Sequence, residues 1–397
     1  MKWSRLIINA MLICITLTFF CSKYIPKALV IQIIVFAASG LTASLMCITG
    51  NRSKYKSVVY LCIWMLVKQI QYNISYTSVL SLTYRTLSGV AGFVFAYCLA
   101  VSTELRKENQ FSVISLGEIR FKHLYFPDFL LWIMIIWGFF FLTQIDYERS
   151  KMNWGFANYS YFLLMLFPIL PHSKSRWLKR GATLMAIAVL LVSRKRTGII
   201  ALLICAIVAT LLTLRNKKIT QRKALIIVTF STIILYSLLF TDIAGKMYEN
   251  FFYRFDSSDA EDLNGRTDIW IYGITRWLNG GPFVWLFGGN IQYRTNNGGS
   301  LTMHNDFIEM LVNYGLVGIV LLTFVFADII RNIVAAKRLM LDIEFRSLIY
   351  TLVVMLALML TSHIIIYPYM FFLMLLTVGY CYGMIDTTKI RNGEEEI

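Results

Sequence analysis

Long apolar runs alternate with short polar breaks along almost the whole chain. A helix needs about 20 apolar residues to cross a bilayer, fewer when neighbours shield its ends. On that criterion the pattern predicts about a dozen membrane-spanning helices. They run near 5–21, 28–48, 57–72, 86–102, 128–144, 158–171, 177–193, 197–214, 224–241, 305–328, 346–362 and 365–384. Only one hydrophilic stretch, 242–304, is long enough to build an extramembrane unit. The expected organisation is therefore all-α and polytopic: spans 1 to 9 in 1–241, a large loop at 242–304, and spans 10 to 12 with a short tail in 305–397. Leu6 to Phe20, after the basic start, imitates a signal peptide. No small-residue cleavage site follows and further spans do, so it is read as the first transmembrane helix.

Composition agrees with the pattern: 57% of residues are hydrophobic and 15% charged, which is the membrane class and not a soluble domain. The net charge of +16 invites a nucleic-acid reading. The cations are instead dispersed through short loops, as membrane orientation requires, so no nucleic-acid partner is expected. Cys14, Cys21, Cys47, Cys62, Cys98, Cys205 and Cys381 all lie in or at the edge of apolar runs, with no CxxC pair. They read as small buried hydrophobes, not as disulfides or metal ligands.

Loop charge sets the orientation. With the amino terminus inside, one set of loops collects Arg52/Lys54/Lys56, Arg106/Lys107/Arg120/Lys122, Lys174/Arg176/Lys179/Arg180, Arg215/Lys217/Lys218/Arg222/Lys223, Arg331/Lys337/Arg338 and Lys389/Arg391. The other set is sparser: Lys23/Lys27, Arg85, Arg149/Lys151, the 194–196 turn and the 242–304 loop. Both termini are thus expected in the cytoplasm and the long loop outside. The anomaly is Arg194-Lys195-Arg196, three successive cations in a tight outward turn. Charge at a membrane edge is costly and is usually kept for a function. Only 13 residues separate Arg180 from Arg194, about 20 Å of helix against a hydrocarbon core of about 30 Å. Either Lys179 and Arg180 snorkel on the inner side, or Arg194 is recessed below the outer surface.

The outer loop adds two candidates. After an acidic run comes Asn264-Gly265-Arg266-Thr267-Asp268, a turn leading into a helix with Trp270, Ile274 and Trp277 at helical spacing and a stop at Asn279-Gly280-Gly281-Pro282. Thr267 or Asp268 is the expected cap. Arg266 then stands at a helix amino terminus, where free N–H groups and a guanidinium suit an anion; the alternative is a surface pair with Asp262 or Asp268. Further on, Asn305 or Asp306 with Glu309 has the composition of a helix cap. His304 lies just outside that helix, near carboxylates able to orient it, though a lone surface histidine is often incidental.

Taken together, three segments resemble one family. They are Ser193-Arg194-Lys195-Arg196-Thr197-Gly198 entering an apolar span, Gly265-Arg266-x-x-x-Trp270, and His304-Asn305-x-x-x-Glu309 followed by Gly315-Leu316-Val317-Gly318. In order, spacing and membrane side they are similar to the bacterial O-antigen polymerase/O-antigen ligase group, over residues 180–325; the amino-terminal half matches only in span count. The resemblance implies a multi-span, GT-C-like glycosyltransferase in the bacterial inner membrane, acting on the periplasmic face on undecaprenyl-diphosphate-linked oligosaccharide. A flippase and a chain-length regulator are the implied protein partners. By motif, Arg194 or Arg196 and Arg266 would hold the diphosphate and His304 would assist transfer. Many ligases carry a second histidine where this chain has Thr302. With the Lys-Arg-Thr form of the first motif, this tilts the reading to a repeat-unit polymerase over a ligase.

In that mechanism the lipid diphosphate leaves with about two negative charges, and cations in a low-dielectric setting stabilise it. Arginine suits this role because it stays charged and bridges phosphate oxygens. His304 takes the proton of the acceptor hydroxyl. Lys68, late in its span, with Arg85 and Arg149, falls on the same side as a further candidate for the anion, although Lys68 has snorkelling as its alternative. The outer loop holds no Asp-x-Asp motif, and Asp259-Ala260-Glu261 reads as a solvated acidic run, so no metal or other cofactor is expected. A flippase is the main rival, and it would place charge in a midplane cavity between paired halves. The cations here gather at outer helix ends beside one asymmetric loop. A receptor or scaffold would leave the 194–196 turn unexplained.

Overall fold

A computed structural model describes residues 56–72, 89–101 except 91 and 98, 115–116, 119–120, 125–150, 160–215 except 194, 266–294 except 292, 300–301, and 303–393 except 363, 366 and 367. Apart from short turns and connections, these residues are helical, with two two-residue antiparallel ladders, Ser115–Leu116 with Ile119–Arg120 and Tyr293–Arg294 with Ser300–Leu301. The helices are α1 (Lys56–Tyr72), α2 (within Gly92–Val101), α3 (Phe126–Ser150), α4 (Tyr161–Leu166), α5 (Arg176–Ser193), α6 (Arg196–Arg215), α7 (Arg266–Leu278), α8 (Gly281–Phe287), α9 (Asp306–Arg338), α10 (Asp342–Thr361) and α11 (Pro368–Arg391). Each predicted span that falls among the described residues is a helix there. The predicted spans 5–21, 28–48 and 224–241 lie outside them. Four described helices are long and apolar enough to cross a membrane: Phe126–Ile145, Asp306–Arg338, Asp342–Thr361 and Met370–Arg391. This is an integral membrane protein.

The predicted span 158–171 has a local departure. Six α-helical residues give way to a 3₁₀ turn at Phe167–His172, because Pro168 and Pro171 lack the N–H groups an α-helix would use. Its neighbours cover the interruption: the turn and α4 pack against α10 and α11. The bundle is built around α9 and α10, with α1 and α8 on α9 and α6 on α10, while α3 and α5 pair beside them. Leu184, Ile207, Leu211 and Phe324 are exposed on outer faces, as contact with lipid chains demands. Cys62, Cys205 and Cys381 are buried free thiols, in line with their reading as small hydrophobes.

Side-chain contacts sort the helix ends into two groups. Ser57 donates to Asp328, Ser173 to Asp128, Tyr97 to Asp386 (3.2 Å) and Ser347 to the Pro168 carbonyl. His172 and Glu344 approach to 3.9 Å. All of these lie on ends that the charge count puts inside. At the other end Arg266, Asn305 and Asp306 bind residues 360–365. The packing therefore reproduces the alternation of loops read from charge. It also bears on the short span before the cationic turn. Lys179 Nζ reaches back to the Pro171 carbonyl (3.1 Å), and Arg180 lies over the Trp177 ring at 5.5 Å, so both turn back towards the end at which α5 begins.

Candidate functional site

The turn between α5 and α6 is as tight as predicted. Lys195 N donates to Leu190 O (3.4 Å) to close one helix, and Lys195 O accepts from Ile199 N (3.2 Å) to open the next. Gly198 lets α6 start close against α5: a Cβ there would meet Leu190 Cδ2 at 2.5 Å and push that side chain aside. Arg194 lies outside the described residues. Arg196 is the first residue of α6, and its side chain is not among those described. The same holds for Arg149, in the last turn of α3. Lys195, set behind its neighbours in the motif, is the cation whose position is defined. Its Nζ is 5.7 Å from the centre of the Tyr161 ring.

Tyr161 carries no signal in the motifs, yet it joins the site together. Its hydroxyl is within reach of the Thr197 and Ser362 side chains and of the Arg266 charge. Arg266 Nη1 donates to the Thr361 carbonyl at 2.7 Å. The amino end of α6, the first turn of α7, the start of α4 and the end of α10 thus meet at one buried phenol. Arg266 is the first residue of α7, so Thr267 and Asp268 lie inside the first turn and are not its caps. The guanidinium stands at a helix amino terminus as expected, but its defined partner is a carbonyl at the end of α10. The surface pairing with Asp262 falls outside the described residues.

His304 is held by its neighbours on both sides. Asn305 is the cap of α9: its Oδ1 accepts from Phe307 N (2.9 Å) and Ile308 N (3.1 Å), and its Nδ2 donates to Leu360 O (3.0 Å). Asp306 is not the cap. Fully buried, it accepts from Ile364 N (2.6 Å) and Ile365 N (3.1 Å), pinning the chain beyond α10. Glu309 does not close the expected box onto the cap residue. It accepts instead from Met303 N (3.0 Å) and from Asn313 Nδ2 (2.7 Å), while Asn313 Oδ1 accepts from Ile291 N (2.6 Å). Met303 is buried against Gly273, where a Cβ would meet its sulfur at 2.7 Å. The face of α7 that docks here is Ile269, Trp270, Gly273 and Trp277, one step round from the stripe centred on Ile274. Between these fixed points His304 adopts φ +50°, a left-handed conformation that is uncommon outside glycine and usually marks a constrained site. Replacing Asp306 with alanine strands two buried amides and is expected to cost about 2–4 kcal/mol. Thermal unfolding in detergent checks this, and an unchanged midpoint contradicts it.

Gly315 breaks α9 at φ 71°, ψ −170°, a region essentially restricted to glycine. The kink frees carbonyls that other elements take up: Val312 O accepts from Gly289 N (2.9 Å) and Tyr314 O from the Trp64 indole (3.0 Å). A Cβ at Gly315 would strike the Leu286 carbonyl and the Gly288 amide. Lys68 is enclosed at this junction, 1% exposed, with Nζ 3.5 Å from Gly288 O and 5.9 Å from the Trp64 ring. It does not snorkel to an interface; it binds the carboxyl end of α8.

The fold and site thus define a helical membrane protein that gathers cations and a constrained histidine at one set of helix ends. Residues 181–323 match the family model described as O-Antigen ligase, the group that the three sequence segments resemble. The match spans the cationic turn, Arg266, His304, Glu309 and Gly315. No curated protein matches the chain. Tyr161 and residues 360–365 lie outside the matched stretch, which is why motif reasoning missed them. A phenol heading a short apolar helix was the available signal.

Proposed function

We propose that this chain is a glycosyltransferase that polymerises undecaprenyl-diphosphate-linked oligosaccharide repeat units on the periplasmic face of the bacterial inner membrane, with both termini in the cytoplasm. The observation that carries this reading is the convergence of Arg266, Lys195 and the start of α6 on Tyr161. A fixed cationic corner at the membrane edge suits a diphosphate leaving group. The acceptor hydroxyl attacks the anomeric carbon of the donor sugar and the bond to the lipid diphosphate breaks. His304 accepts the hydroxyl proton, and Arg266 with Arg194 or Arg196 receives the developing negative charge. Lys68, held under Gly288, and Arg149 are further candidates for the anion.

The description of the matched family favours a second reading, transfer of the glycan to lipid A-core by a ligase. The product separates the two: purified protein given only lipid-linked repeat units yields longer lipid-linked chains if it is a polymerase. No extension, with transfer to added lipid A-core, makes it a ligase. A flippase would yield neither product.

Because the diphosphate already activates the sugar and the arginines would take the place of a metal, activity is expected to persist in EDTA at a level within about twofold of the untreated rate. Complete loss restored by Mg²⁺ contradicts this.

A further inference from the structure

We propose that Trp270, Glu309 and Asn313 are positioning residues for glycan transfer: they grip the backbone of Met303 and so fix His304 relative to Arg266. This rests on the roles given to those two residues in the proposed function. Met303 directly precedes His304 and is held on three sides. Its N–H donates to Glu309 Oε2 (3.0 Å), its carbonyl accepts from Trp270 Nε1 (2.5 Å), and its buried side chain lies against Gly273. Trp270 and Gly273 lie about one and two turns along α7 from Arg266, so all three share the packed stripe of that helix. The helix that begins with the arginine is thus joined through one residue to the helix that follows the histidine. The end of α10 supplies a second joint: Arg266 takes the Thr361 carbonyl, and Asn305 takes the one before it, Leu360. His304 stands in the chain between the two joints, at φ +50°.

Donor and acceptor roles in the grip are fixed throughout. Glu309 and Asn313 are four residues apart on α9, so their side chains meet on one face. Glu309 accepts from two donors, Met303 N and Asn313 Nδ2 (2.7 Å). Asn313 Oδ1 accepts from Ile291 N (2.6 Å), so one orientation of its amide satisfies both ends. Both side chains are buried, where a polar group set against its like is costly. Ile291 and Met303 flank the ladder of Tyr293–Arg294 with Ser300–Leu301, so the pair closes this hairpin at its base. Asn305 already caps α9 by accepting from Phe307 N and Ile308 N. The bonds of Glu309 and Asn313 to Met303 and Ile291 serve instead the hairpin that delivers His304. Proton transfer needs the base within about 3 Å of the acceptor hydroxyl, and a displacement of about 1 Å can slow the reaction about 100-fold.

The test uses the full chain in lipid nanodiscs and two readouts: turnover on lipid-linked repeat units, and hydrogen exchange of the Met303 amide. Glu309→Gln sets an amide donor against Met303 N or Asn313 Nδ2, and turning either amide only moves the clash. Asn313→Asp sets two carboxylates face to face. Each is expected to lower kcat about 100-fold with KM within about twofold of the parent, and to speed Met303 exchange about tenfold. Combining the two changes interchanges donor and acceptor. The amide at 309 then donates to the carboxylate at 313, which still accepts from Ile291 N, while the amide oxygen still accepts from Met303 N. The combination is expected to restore slow exchange and to bring kcat within about fivefold of the parent. Trp270→Phe keeps a ring on α7, removes the donor to the Met303 carbonyl and is expected to lower kcat about tenfold, with a melting curve like the parent. Unchanged kcat in single variants whose Met303 amide exchanges faster overturns the positioning role and leaves the proposed function standing. Low kcat in the combined variant despite restored protection does the same, since it makes the charge at Glu309, and not the grip, the group that matters. Unchanged exchange in both single variants overturns the grip itself. A parent protein that transfers no glycan, while the variants still exchange faster at Met303, overturns the proposed function, and the positioning role falls with it.

Discussion

Replacing Arg266 with glutamine is expected to slow glycan transfer by about 10²–10³-fold, the usual cost of removing one group that stabilises charge developing in a transition state. Glutamine is the informative change because of what Arg266 also does for the fold. Its Nη1 donates to the Thr361 carbonyl, and glutamine leaves a polar donor at this position that ends about two bonds short of that atom. The variant therefore loses the cation near Tyr161 and weakens the contact between α7 and the end of α10, two effects that turnover and the melting midpoint read separately. The single hydrogen bond is worth about 1–3 kcal/mol of stability at most, so a purely structural role would appear as a lower melting midpoint. A charge role appears as lost turnover in a protein that melts normally. Lysine at this position should recover part of the rate, since it restores a positive charge but not the planar fork that bridges two phosphate oxygens. Turnover of the glutamine variant within threefold of the parent, measured on purified protein, would remove Arg266 from the mechanism.

His304→Asn is the second change with a large expected effect, about 10²–10⁴-fold in turnover, the range for losing a general base. Alanine would confound the result. At φ +50° an alanine adds backbone strain, whereas asparagine tolerates the left-handed region at least as well as histidine. Asn305, Asp306 and Glu309 would continue to hold the segment from both sides, so the variant should insert and melt like the parent. Substrate binding should change little, placing the loss in kcat. An asparagine variant that extends chains at the parent rate would leave His304 as a positioned but chemically silent residue.

How far the sequence carried the site differs from residue to residue. Glu309 was recognisable as part of a cap-like motif, yet its partners are Met303 N and Asn313 Nδ2 and not the cap residue. Asp306 looked like a local cap and proves to be a long-range clamp on Ile364 and Ile365. Lys68 was visible as a charge in an apolar run, but its length allowed snorkelling, and the tertiary structure sets the ammonium at the carbonyl end of α8. Lys195 ranked behind Arg194 and Arg196 on chemistry, while a turn's backbone geometry decides which side chain lies over Tyr161. The kink at Gly315 was present as a glycine in a motif. Its cause is the approach of α8, which leaves no room for a Cβ.

What the sequence determined by itself is the set of properties that follow from one-dimensional patterning. Apolar run length places the helices, loop charge sorts their ends into two sides, and glycine and proline mark where helices stop. These are local or statistical consequences of patterning, and the described helices fall on the predicted apolar runs. What the tertiary structure decided is which ends meet. Tyr161, Thr361 and Ser362 have no distinguishing neighbours in sequence and join Arg266 because α4 begins and α10 ends at the same level of the bundle. Carbonyls left open at the ends of α8 and α10 must find donors away from water, and the cations and amides nearest in space supply them.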